Sequence, residues 1–161
     1  MTDWNLISKG LLGIYWIMEC NRIENADRTL IDVYSKQFAS KWNNERLLNS
    51  GVLMMSSYLL FVYPQQADFE NIDFTEIDIS NFKIISQESD HADNKKFCRR
   101  LRNSISHAHF AVDETRNIIN FKDNRPDGTD KIEFEIGLVE FGEFIDDFAH
   151  IVNSQMLKSD I

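Results

Sequence analysis

The sequence predicts a mainly α protein: an up-and-down bundle of about four to five helices, with a small antiparallel β-hairpin before the last helix. Three observations predict it. Apolar residues recur at three- and four-residue spacing in successive stretches of the chain. Six Gly and two Pro in 161 residues leave few breaks. The pattern turns to period two in a single region, 109–136. The length favours one domain spanning 1–161, and 43% hydrophobic residues, twelve of them Phe, suffice for its core.

Taken in order, Ile7, Leu11, Ile14 and Met18 predict a first helix. Asp27 is placed to cap a second, with Leu30, Val33 or Tyr34, Phe38 and Trp42 inward. A third runs from about Asn44 to Val62 and is apolar on nearly every side, which predicts burial. Residues 64–90 read as a long acidic surface loop, pinned by Phe69, Phe74 and Phe82, with room for a short helix or strand inside. A fourth helix starts near Asp93. After it, F-A-V-D, N-I-I-N-F and K-I-E-F-E-I alternate as a hairpin or three-stranded meander. The last helix turns Phe141, Phe144, Ile145, Phe148, Ile151, Val152 and Gln155 inward, with Glu140, Glu143, Asp146 and Asp147 outward.

A net charge of -9 argues against a protein that coats nucleic acid along a broad basic face, though it leaves room for a small basic cleft. Cys20 and Cys98 are isolated thiols without metal or disulfide spacing. Neither a secretory signal nor a membrane span is legible, so a cytoplasmic protein is expected.

The stretch R-R-L-R-N-S-I-S-H-A-H-F, residues 99–110, departs from this acidic background. On a helical wheel Phe97, Leu101, Ile105 and Ala108 fall on one side, with Cys98 and Ser104 at its edges. Arg99, Arg100, Arg102, Asn103, Ser106 and His107 fall on the other, without one carboxylate of their own. Arg102 and His107 stand about 140° and about 7.5 Å apart on an ideal helix, flanking Asn103 and Ser106. A phosphate fits over that middle. The competing reading is an ordinary solvated face. Zinc binding by Cys98, His107 and His109 lacks a fourth ligand, and Cys98 lies on the apolar side. Ser104 or Ser106 as a nucleophile lacks a strand-turn-helix elbow. Asp27, Glu88 and Asp90 read as caps and loop charges before they read as assisting acids. Trp4, Trp16 and Trp42 read as core before they read as base-stacking platforms.

Arg102, Asn103 and His107, in R-N-S-I-S-H, resemble the R-x4-6-H motif of the HEPN superfamily in its R-N-x-x-x-H form. The order of elements around the motif is similar to that of compact single-domain HEPN proteins of bacteria and plasmids. His109 also satisfies the motif at the longer spacing. The resemblance implies a helical domain that dimerises with its two motifs facing each other. It also implies metal-independent endoribonuclease activity without a cofactor, in toxin–antitoxin or phage-defence settings with an antitoxin partner. Members without catalysis bind RNA or nucleotides, or act as protein-interaction modules. Histidine suits proton transfer near neutral pH, and arginine suits the phosphate. On that reading His107 is the acid/base, Arg102 holds the scissile phosphate and Asn103 orients His107 or the phosphate. Arg99, Arg100, Ser106 and His109 contact the RNA backbone.

Overall fold

A computed structural model describes residues 50–64, 66–89 and 93–159. The first two expected helices, with Asp27 and the three Trp, lie outside these residues, as does Asp90. The chain divides into two units, Met1–Met55 and Ser56–Ile161. The second is described below, together with the helix that begins just before it.

The elements are α1 (Ser50–Phe61), α2 (Gln66–Glu70), β1 (Lys83–Gln87), α3 (Asn94–Ser106), β2 (Phe110–Asp113), β3 (Ile118–Asp123), β4 (Ile132–Gly137) and α4 (Leu138–Ser159). The four strands form one antiparallel sheet in the order β1-β4-β3-β2. This corrects the expected fold class. The chain is a mixed α/β protein built around a four-stranded sheet, not a helical bundle with a small hairpin added.

The alternating segments 110–113, 118–123 and 132–137 are strands, as their period of two predicts. The error lies in their status and in a missing fourth strand. K-I-I-S-Q carries no alternation because all five of its residues are exposed, and its register slips between Ile84 and Ser86 as it pairs with β4. A bulged edge strand has no buried face to write a pattern, so it reads as loop.

The sheet has two unlike faces. Ile119 and Phe121 of β3 and Ile132, Phe134 and Ile136 of β4 point inward and are buried. The other face is a ladder of charge: Lys83 to Glu135 at 3.0 Å, Lys122 to Glu133 at 3.2 Å, Arg116 to Glu135 at 3.6 Å. Cross-strand pairs of opposite sign keep that face in water and help fix the register.

Phenylalanine dominates the core. Phe97 of α3 lies 4.7 Å from Phe134 between ring centroids, Phe141 of α4 lies 5.4 Å from Phe121, and Phe82 lies 4.9 Å from both Phe97 and Phe144. Phe61, at the end of α1, meets Phe148 at 4.3 Å. Each fully buried ring contributes about 1.5–3 kcal/mol. Phe69, Phe74 and Phe82 are buried as expected, so the stretch between them, 69–82, is bound to the domain by its aromatics. The inward residues of α4 match the expected stripe through Phe148. Gln155 adds a clamp to that segment: its Oε1 accepts from the Asp73 N–H and its Nε2 donates to the Asp73 carbonyl, each at 2.9 Å. In contrast to the expected burial of the third helix on every side, Met55, Tyr58 and Leu59 of α1 are exposed, and the buried stripe runs through Ser50, Leu53, Met54, Ser57 and Phe61. Among the described residues no helix is long and apolar enough to cross a membrane.

Candidate functional site

The site is built on α3. Asp93 caps its start, its side chain accepting from the Lys96 N–H at 2.8 Å. Phe97, Cys98, Leu101, Ser104 and Ile105 form its buried face. Cys98 is fully enclosed, and burial pushes its thiol up to about 12, far from the range of a reactive thiol or a metal ligand. His107 and His109 are exposed, so Cys98 and the two imidazoles lie on different sides of the helix. No group of three or more metal-ligating side chains forms among the described residues.

The end of α3 decides where the imidazoles stand. The helix stops at Ser106, and His107 leaves it at φ -98°, ψ 5°. The Ala108 N–H donates to the Ile105 carbonyl at 3.1 Å, and the His109 N–H to the Ser104 carbonyl at 2.8 Å. This reciprocal pair is a Schellman cap, and it places Ala108 in the left-handed region at φ 54°. The wheel had carried the helix through Ala108 to the apolar side; the reversal leaves Ala108 exposed instead. It also brings the His107 and His109 rings to 5.8 Å between centroids, at 38°. Neither imidazole has a hydrogen-bonding partner among the described residues.

The three arginines have different surroundings. Arg100 is mostly enclosed. Its Nη1 donates to Asp123 Oδ2 at 2.8 Å, and its Nη2 to the Asp130 carbonyl at 2.8 Å and to the Asp130 carboxylate. Asp123 is itself buried, so Arg100 ties α3 to β3. Arg99 makes a two-pronged pair with Glu70 of α2: Nε reaches Oε1 at 2.9 Å and Nη2 bonds Oε2. Lys95 joins the same carboxylate at 3.4 Å. The Arg99 hydrogen bonds hold the Glu70 carboxyl below its ordinary range and raise the Arg99 guanidinium.

Arg102 differs from both. Its Nη1 donates to Gln66 Oε1, its Nη2 to the Pro64 carbonyl at 3.2 Å, and its guanidinium carbon stands 4.8 Å from the centre of the Phe69 ring. It has no carboxylate partner among the described residues. One turn of helix separates it from Ser106, whose hydroxyl donates to the Asn103 carbonyl at 3.1 Å. The Asn103 amide donates to Asp123 Oδ2 at 3.3 Å while its side chain stays exposed, so Asp123 gathers Arg100 and Asn103 on one oxygen. Ser104 is buried and bonds the Arg100 carbonyl, and Glu88 accepts from the Lys131 N–H at 3.0 Å, a tie across the sheet's edge.

The polar face of α3 thus lacks carboxylates of its own but receives them from elsewhere. Glu70, Asp123 and Asp130 compensate Arg99 and Arg100, and they were missed as site residues. Asp123 had a legible signal. In I-I-N-F-K-D it falls on the inward register set by Ile119 and Phe121, where a charge demands an opposite partner. Gln66 and Glu70 had none, since they meet α3 only through the fold.

A sequence model of the family described as HEPN pEK499 p136 matches residues 13–159 of the chain. No curated protein and no solved structure matches it.

Proposed function

Because the chain belongs to the HEPN pEK499 p136 family, we propose that it is a metal-independent endoribonuclease whose site is Arg102, Asn103 and His107. Membership supports a nuclease or RNA-related role; the chemistry is our reading of the site. The observation that carries it is the contrast among the arginines. Arg99 and Arg100 are paired with carboxylates, whereas Arg102 is met by neutral partners near the C-terminal end of α3, within the same motif as an exposed His107.

In this mechanism Arg102 binds a non-bridging oxygen of the scissile phosphate and stabilises the charge that builds on it. His107, or the pair it forms with its counterpart in a homodimer, takes the proton of the 2′-hydroxyl. The 2′-oxygen attacks phosphorus, the bond to the 5′-oxygen breaks, and that oxygen receives a proton from an imidazolium. The product ends in a cyclic phosphate, and DNA, lacking the nucleophile, is not cut. Asn103, anchored through Asp123, orients the phosphate or His107 once RNA is bound. His109 stands beside His107 and serves as a second imidazole, and Ser106 lines the same rim. Arg99 contacts RNA only as far as Glu70 releases it; Arg100, enclosed by two aspartates, is assigned to the fold. We place this activity in the cytoplasm, in a single HEPN-like domain, in a toxin–antitoxin or phage-defence setting with an antitoxin partner. The family match runs across the division between the two units of the chain, which supports one domain.

A second reading is favoured by the same ion pairs. With Arg99 and Arg100 compensated, the cationic surface is small, and a module that binds RNA, a nucleotide or a partner protein without cutting needs no more. Incubation of purified protein with RNA in chelator separates the two. The nuclease reading expects cleavage that falls at least about 100-fold in Arg102→Ala and in His107→Ala, with folding retained by circular dichroism. RNA binding without cleavage, weakened by Arg102→Ala, would establish the binding module. Cleavage that requires added metal would refute the mechanism.

A further inference from the structure

Three residues, Pro64, Gln66 and Phe69, contact the Arg102 guanidinium. Pro64 offers its carbonyl, Gln66 its amide oxygen and Phe69 the face of its ring. Phe69 is fully buried and packs at 5.3 Å from Phe74 and 6.3 Å from Phe61, so the platform beneath the guanidinium is fixed. Gln66 is fixed too, although exposed. Its Nε2 donates to Glu70 Oε1 at 2.7 Å, which turns its oxygen toward Arg102. Glu70 is held in turn by Arg99 and Lys95. The result is a chain from Arg99 through Glu70 and Gln66 to Arg102, in which the carboxylate ends on Arg99 and an amide ends on Arg102.

An arginine carries five N–H donors, and these contacts with Gln66 and Pro64 engage only its two Nη atoms. From this arrangement we infer that Gln66 is a positioning residue for Arg102: it aims the guanidinium while withholding negative charge, which leaves the cation free to take a phosphate. The inference rests on the proposed role of Arg102. It gives the start of the acidic 64–90 segment a function in the site, since α2 supplies an oriented neutral acceptor where glutamate, of nearly the same shape, would supply a competing anion.

Gln66→Glu separates positioning from simple support. If Gln66 only holds α2 against α3, the exchange acts on stability alone, through a gained ion pair with Arg102 and a lost hydrogen bond to Glu70, and RNA handling by the folded protein persists. If it positions an available cation, RNA handling falls whatever the stability does. Full-length protein is compared by melting temperature, by binding of a fluorescent single-stranded RNA in rising salt, and by single-turnover cleavage of that RNA. Gln66→Glu, with folding retained by circular dichroism, is expected to bind RNA at least about tenfold more weakly and with a shallower salt dependence, whichever way its melting temperature moves. Gln87→Glu, on the exposed edge strand, adds the same charge and is expected to change neither readout. Gln66→Ala is expected to slow cleavage at saturating RNA several-fold while affinity changes less, because a loosened guanidinium still attracts phosphate but misaligns it. Wild-type RNA binding and cleavage in Gln66→Glu would overturn the inference while leaving the nuclease reading intact, provided Arg102→Ala and His107→Ala are inactive. A wild-type protein that neither binds nor cuts RNA would overturn both.

Discussion

Ala108 shows how one residue sets the stage for the imidazoles. The Schellman cap needs a left-handed residue between His107 and His109, and glycine usually supplies it. Alanine there holds its Cβ against the following carbonyl, a strain of about 1–2 kcal/mol that glycine avoids at some entropic cost to the unfolded chain. Ala108→Gly is therefore expected to stabilise the protein by about 1 kcal/mol, read as a higher urea midpoint with an unchanged slope. The same residue explains why sequence reasoning ran the helix too far: alanine is the best helix former, and nothing around it announces a turn. Arg102, Asn103 and His107 were legible as candidates because they lie in one short motif. The separate surroundings of Arg99, Arg100 and Arg102 were not, because Glu70, Asp123 and Gln66 come from 23 to 36 residues away.

At the scale of elements, the joint between α3 and the sheet is the Arg100–Asp123 pair. Burial removes both charges from water, so Asp123 is not tolerated without its cation, whereas Arg100 keeps Asp130 as a partner when Asp123 is lost. Arg100→Ala is expected to cost about 3–5 kcal/mol because it strands the Asp123 carboxylate. Adding Asp123→Ala to that variant should recover part of the loss, which a double-mutant cycle by chemical denaturation measures. Such a joint explains what sequence could and could not reveal about the fold. Strands β2, β3 and β4 were readable from alternation, and α3 and α4 from their apolar stripes. That the strands belong to the core follows only once Phe121 and Phe134 are seen against Phe141 and Phe97. A period of two reports that one face is buried, not what covers it or how many strands share it.

At the scale of the whole molecule, the core aromatics and the inner face of α3 pack as one body, and Cys98 lies inside it. A fully enclosed thiol with its pKa pushed up to about 12 is neither accessible nor ionised at neutral pH. In a Cys20→Ser variant, Cys98 is expected to resist iodoacetamide under native conditions and to react in denaturant, as followed by intact mass. Rapid native labelling would mean that α3 lifts from the sheet on its own, at odds with the burial described above.

The sheet ends at β1, a short border strand that has Ile84 and Ile85 exposed, kinks between Ile84 and Ser86, and begins with Lys83. A straight greasy ribbon there would offer a template on which neighbouring molecules could zip together into fibres. The kink breaks the spacing that such zipping requires, and the lysine charge adds repulsion between like copies. The irregularity that hid this strand from the sequence is thus a safeguard against aggregation at high concentration.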